Sequence, residues 1–161
     1  MSEPDTPATR WLADNQIPHE IVETQPASSA QESAQFQGIA VSQLLRTIVV
    51  RRGEGDYLFV LVPGGRRFDW PKLREHLGVK RMSLPDADEA RQVTGYERGT
   101  ITPFGSTNAW PVIADRSIEA LDKVAIGGGR RGVNIHLRPR DLVDATGAAV
   151  VDVTTPESDP T

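Results

Sequence analysis

Two glycine-rich segments are the first places in this 161-residue chain where chemistry could sit: Gly95-Tyr96-Glu97-Arg98-Gly99-Thr100-Ile101-Thr102-Pro103-Phe104-Gly105 and Gly127-Gly128-Gly129-Arg130-Arg131-Gly132. Glycine lets backbone approach a ligand closely and lets successive N–H groups point into one concavity, which suits a carbonyl oxygen or a phosphate. The competing explanation of each segment is a set of tight turns with positive φ. The second segment lacks the Gly-Lys-Ser/Thr ending of a phosphate loop and runs into a strand, so neither that motif nor a dinucleotide fold fits it. Arg46 stands before a β-branched strand, where a charge either lines a pocket or caps a sheet edge. Its guanidinium can hold phosphate or carbonyl oxygen through two N–H groups but cannot act as a base. The cations come in groups: Arg46 with Arg51 and Arg52, Arg66 with Arg67, Lys80 with Arg81, and Arg130, Arg131, Arg138 and Arg140. Each group is either a nucleic-acid contact or a solvated edge. His19, His76 and His136 show no metal spacing and read as surface or edge residues, so no metal site and no cofactor are expected. A carboxylate such as Asp115, just after a short strand, is a weaker candidate for hydrolytic chemistry.

The elements that must position these residues follow from caps and periodicity. Helices are expected over residues 6–15, from Ser28 or Ser29 through 36 with Glu32 completing a capping box, from Asp69 to Gly78, over 85–94, and after Pro139. Strands are expected at 19–23, 47–51, 57–62, 112–114, 123–126, 132–137 and 150–153, with helical turns at 41–45 and 117–121. Residues 53–56 close a hairpin between the third and most apolar of these strands and the one before it. The sum is an α/β (α+β) single domain over residues 8–153, a mixed, largely antiparallel central sheet flanked by short helices. Residues 1–7 and 154–161, rich in Pro, Ser, Thr and acid, are expected as flexible tails.

Composition narrows the function classes. With no Cys there is no disulfide, thiolate metal site or Cys nucleophile, which fits a cytoplasmic protein. No apolar run approaches the roughly 18 residues a membrane helix needs, so no membrane partner is expected. The net charge of -4 argues against a surface that coats nucleic acid throughout and leaves room for a local basic patch.

Taken in order, Leu44-Leu45-Arg46-Thr47-Ile48-Val49, Val62-Pro63-Gly64 with Arg67, Gly95-Tyr96 with Gly99 and Pro103 in a Gly-x-x-x-Pro loop, and the glycine run from 127 to 132 resemble the YbaK/prolyl-tRNA-editing domain family over residues 8–153. The resemblance implies hydrolysis of mischarged aminoacyl-tRNA without a protein nucleophile. It assigns the substrate carbonyl to the backbone N–H near Gly99 and the ester and terminal adenosine to the basic residue at Arg46. It implies substrate contacts at Thr47, Tyr96, Thr100, Pro103, Gly127, Gly128, Gly129 and Asn134, and tRNA contacts at Arg66, Arg67, Arg130 and Arg131. The implied activity is trans-editing of a small amino acid, as in Cys-tRNA(Pro) or Ala-tRNA(Pro), with aminoacyl-tRNA as partner and a synthetase as a second. Three matched positions depart from the family pattern: Arg46 replaces a usual Lys, Gly127 a frequent Ser and Asn134 a frequent Asp. The alternative is a non-catalytic module of the same shape that binds a tRNA end, a small metabolite or a synthetase.

Overall fold

Local signals place most of the elements. A computed structural model describes residues 4–157 of the chain. In order these are α1 (Pro7–Asp14), β1 (Glu20–Glu23), α2 (Ala30–Gln37), β2 (Leu45–Gly53), β3 (Asp56–Pro63), β4 (Arg66–Phe68), α3 (Trp70–Leu77), α4 (Ala87–Thr94), β5 (Val112–Asp115), β6 (Val124–Gly127), β7 (Val133–Leu137), α5 (Pro139–Thr146), β8 (Ala149–Val151) and β9 (Thr154–Pro156), with 3-10 turns at Val41–Gln43 and Arg116–Ala120. Asp69 and Asp86 cap α3 and α4 by accepting the N–H of Lys72 and Glu89, and Gly78 and Gly95 end them in the left-handed region. The capping box expected at α2 is shifted by one residue. Ser29 Oγ accepts the N–H of Glu32, but the Glu32 carboxylate reaches back to the N–H of Ser28 rather than of Ser29.

β3 is buried from Tyr57 through Pro63, a continuous apolar run of the kind that strands covered on both faces require. It pairs antiparallel with β2 and parallel with β5, which in turn pairs parallel with β8. A second sheet, β1-β7-β6, is wholly antiparallel, and a parallel bridge from Leu44 to Ala125 joins it to the first. One face of the β2–β3 hairpin packs Leu45, Val49, Phe59 and Leu61 against Ile126, Ile135 and Leu137 of that second sheet, with Leu12 of α1 and Leu142 of α5. The other face sets Val50, Leu58, Val60 and Val62 against Leu73 of α3 and Val153. The expected mixed architecture is present, but its strands divide among three sheets.

Three expectations need correction. Thr6 and Pro7 fall both in the expected N-terminal tail and at the expected start of a helix, and the second reading holds: Thr6 is buried, caps α1 and donates its hydroxyl to the carbonyl of Gly128 at 2.6 Å, and Pro7 opens that helix. Thr154 falls in the other expected tail and is equally buried, because β9 pairs antiparallel with β4, a two-stranded ribbon too short to show a sequence period. The remaining tail assignments at 1–3 and 158–161 lie outside the described residues. His136 is 4% exposed rather than superficial. Its Nε2 meets Gln37 Oε1 at 2.9 Å, and Gln37 Nε2 donates to Ser33 Oγ at 2.9 Å, which ties α2 to the face of β7.

Gly105 has φ +69, and a β-carbon there would lie 2.4 Å from the carbonyl oxygen of Pro7. Gly105→Ala should therefore cost about 2 kcal/mol or more, combining left-handed strain with a backbone clash, and lower the melting temperature by about 4–8 °C. Burial, reinforced by Lys123 and opposed by Glu20, holds His136 below its ordinary value of 6.5. Protonation is thus favoured in the unfolded chain, so His136 adds no instability above pH 6.5 and progressively destabilises as pH falls below it. His136→Gln should flatten the loss of stability between about pH 7 and 5 in denaturant titrations; an unchanged slope would count against the assignment.

Candidate functional site

The two glycine segments come together around one cleft of about 480 Å³, a volume suited to a small ligand or the end of a large one. A methyl group built on Gly127 would lie 3.7 Å from the carbonyl oxygen of Ile101 and 3.8 Å from that of Thr100. One built on Gly99 would lie 3.5 Å from Arg131 Nη2. The start of β2 supplies Leu45, Arg46, Thr47 and Ile48 to the wall, and β7 supplies Val133 and Asn134. The remaining side is residues 24–27 with Ser29 and Ser33 at the start of α2.

Local structure explains what each group offers. β2 is the edge strand of its sheet, so its outer side is open where Arg46 and Thr47 stand. Thr47 Oγ1 is buried in that wall and has no hydrogen-bond partner among the described residues. Arg46 Nη2 donates to the carbonyl of Arg66 at 3.2 Å, which anchors the guanidinium and leaves its other N–H groups available. Asn134 Nδ2 donates to the carbonyl of Val22 at 3.1 Å and to Thr24 Oγ1 at 3.4 Å, so Oδ1 is the atom left for a ligand. Gly99 has φ +92, and among the described residues no backbone carbonyl accepts its N–H.

The charge of the cleft is one-sided. Arg46, Arg98, Arg130 and Arg131 line it, no Asp or Glu does, and none of the four is ion-paired among the described residues. No His lines it either, so the wall offers hydroxyls and amides but no side chain able to take a proton near neutrality. Among the described residues no group of three His, Cys, Asp or Glu side chains could hold a metal ion.

Of the residues singled out in the sequence, Arg46, Thr47, Gly99, Thr100, Gly127, Arg130, Arg131 and Asn134 share this cleft. Tyr96, Pro103, Gly128 and Gly129 do not line it. Tyr96 is 4% exposed, its hydroxyl donates to the carbonyl of Phe104 at 2.6 Å, and burial pushes its pKa up to about 12. Pro103 borders a separate small hollow with Trp11 and Phe104. Gly128 donates its N–H to the carbonyl of Val133, and a β-carbon on Gly129 would lie 2.9 Å from the ring of Tyr96, so both pack inward. Arg66 and Arg67 lie on β4 outside the cleft, Arg66 bonded to Thr154 Oγ1 at 2.6 Å. Asp115 is also removed from it: 1% exposed, it accepts from Ser117 and from the N–H of Val153. Burial raises its pKa, but those hydrogen bonds outweigh burial and hold it below the ordinary value, as befits a structural carboxylate.

Sequence reasoning missed the contribution of residues 24–27 and of Ser29 and Ser33, because nothing local marks one side of a short polar helix as a pocket wall. Arg98 was within reach: it precedes Gly99 in the first glycine segment.

Known proteins resemble the chain at the level of both sequence and fold. EbsC of Enterococcus faecalis, a proposed Cys-tRNA(Pro)/Cys-tRNA(Cys) deacylase, is 24% identical over 155 residues, covering 94% of each chain. The proline–tRNA ligase of Thermosipho melanesiensis is 26% identical over 121 residues, which is 73% of this chain and only 21% of the ligase. The crystal structure of a proposed trans-editing enzyme for prolyl-tRNA synthetase superposes with a TM-score of 0.82 at 27% identity, covering 94% of this chain and 99% of that one. A hypothetical protein of solved structure gives a TM-score of 0.85 at 28% identity over 93% of this chain and 100% of its own. The cleft-forming segments, from Thr24 at its rim through Asn134, fall within residues 24–145, which match the model of the aminoacyl-tRNA editing domain, and the chain belongs to that family.

Proposed function

We propose that this protein is a trans-acting deacylase that hydrolyses the ester of a small amino acid mischarged onto tRNA, with tRNA for proline as the first carrier to examine. The observation that carries the reading is a cleft lined by four arginines, unpaired among the described residues, and no carboxylate, in a protein of net charge -4. Such a cleft suits the phosphates at the end of a nucleic acid and the oxygen that gains charge during ester hydrolysis. The likeness to EbsC and to part of proline–tRNA ligases supports the choice of substrate.

In this reading the ester carbonyl lies against the free N–H of Gly99, and Arg46 engages the adjoining ribose or phosphate oxygens. Water adds to the carbonyl carbon, and its proton passes to solvent directly or by way of a hydroxyl of the tRNA itself. The oxyanion that forms is held by the preorganised N–H, and on collapse the acyl C–O bond breaks. The amino acid leaves as its carboxylate and the terminal ribose oxygen takes a proton. The protein supplies position and electrostatics, because no group in the wall can act as a base near neutral pH. Asn134 Oδ1 accepts from the substrate ammonium without adding a negative charge. Gly127 leaves open the space that a side chain would otherwise fill.

The test is deacylation of Cys-, Ala- and Ser-charged tRNA for proline by the purified protein. Hydrolysis well above spontaneous ester loss is expected for at least one; three intact substrates would refute the reading. Gly99→Ala should lower kcat by about 10²-fold, since a residue disfavouring positive φ moves the donor N–H. Arg46→Lys should retain activity while Arg46→Ala lowers kcat/KM by about 10-fold or more, consistent with removal of one charged hydrogen bond worth about 1.5–3 kcal/mol. Gly127→Ser fits without a clash, since its β-carbon meets nothing closer than 3.7 Å, and it should shift preference toward the smallest amino acid.

A further inference from the structure

A second basic cleft lies at the far end of β2. Its volume is about 540 Å³, and Arg51, Arg52, Arg74, Lys80 and Arg81 line it with no carboxylate. Arg51 and Arg52, which the sequence groups with Arg46, meet Lys80 and Arg81 here and are joined by Arg74 of α3. The meeting is built into the backbone: Arg51 N–H donates to the carbonyl of Ser83 at 2.8 Å and Ser83 N–H to that of Arg51 at 3.0 Å. That antiparallel bridge pins the segment bearing Lys80 and Arg81 against the end of β2.

The charges are unequal in availability. Arg51 pairs with Glu89 at 3.5 Å and Arg52 with Asp56 at 3.0 Å, which holds both guanidinium groups in place beside the cleft. Among the described residues Arg74, Lys80 and Arg81 have no carboxylate partner. Three free cations gathered in a protein of net charge -4 repel one another, and no ion pair of theirs offsets that cost. An anionic ligand would.

We infer that this second cleft binds the phosphate backbone of the RNA whose terminus occupies the first cleft, at a point several nucleotides back from the ester. The inference rests on the substrate class proposed above. Its geometry comes from β2, the strand common to both clefts, with Arg46 at one end and Arg51 and Arg52 at the other. Five residues of strand span about 16 Å, a distance that a few nucleotides of RNA backbone can bridge. Phosphate recognition carries no base information, so this cleft adds affinity and register while the first acts on the ester.

The experiment measures binding of uncharged tRNA, which needs no catalysis, as a function of salt for the full chain and for the triple variant Arg74→Gln/Lys80→Gln/Arg81→Gln. The variant should bind about 10-fold or more weakly, and its slope of log K against log salt should be shallower by about 2–3, one for each phosphate no longer neutralised. The charge-keeping variant Arg74→Lys/Lys80→Arg/Arg81→Lys should bind as the wild type does, which separates charge from folding. Single-turnover deacylation at saturating protein should be unchanged by the triple Gln variant, because none of the three lines the first cleft. An unchanged salt slope in the triple Gln variant overturns the inference, as does equal weakening in the charge-keeping variant. Binding only to an acidic protein such as a synthetase, with no effect on tRNA, also overturns it. A wild type that binds tRNA with the expected slope but hydrolyses no ester would sink the deacylase reading and leave this one standing.

Discussion

Two hydrogen bonds from buried hydroxyls hold the loops on which the cleft depends. Tyr96 donates to the carbonyl of Phe104 and closes the first glycine segment on itself; Thr6 donates to the carbonyl of Gly128 and fixes the second to the start of α1. Each satisfies a carbonyl that would otherwise be unpaired in the interior, at a cost of about 1–3 kcal/mol if the bond is removed. With the bases of both loops fixed in this way, their outer residues can remain exposed and still present Gly99 and Gly127 to the same space. The polar chain from His136 through Gln37 to Ser33 does the same for the opposite wall, by tying α2 to β7.

Much of this was legible in the chain. Asp69, Asp86, Gly78 and Gly95 mark the bounds of two helices because capping is a local interaction read from a few neighbours. β3 announced itself because burial on both faces leaves no room for polar residues. The ribbon of β4 with β9 was invisible for the opposite reason: three-residue strands carry no period, and their partners are as remote in the chain as Arg67 and Thr155. Tyr96 and Gly129 show how a motif can mislead about roles. Both belong to segments that build the cleft, yet Tyr96 faces the core and Gly129 is small because that ring lies against it. Residue type and order indicated the segments, whereas the direction of each side chain was set by packing that only the fold reveals.

The electrostatic design is local. An acidic protein sets Arg46, Arg98, Arg130 and Arg131 around the first cleft and keeps carboxylates out of its wall, so the local potential is positive despite the net charge of -4. Under the proposed function Arg46 suits this arrangement, since one N–H holds the carbonyl of Arg66 while its other donors stay available to a ligand. A lysine ammonium there would have to divide three donors on a flexible stem between the same partners. With no proton acceptor in the wall, the proposed deacylation would draw its rate enhancement from holding the ester and its developing negative charge in place.

Backbone NMR with a hydrolysis-resistant amide analogue of aminoacyl-adenosine tests that placement most directly. Titration is predicted to move the amide resonances of Gly99, Thr100, Gly127 and Asn134 first and together, with a large downfield shift at Gly99 as its N–H takes up the carbonyl. Shifts centred instead on β4 and β9, or on the second basic cleft with the Gly99 amide unmoved, would contradict it.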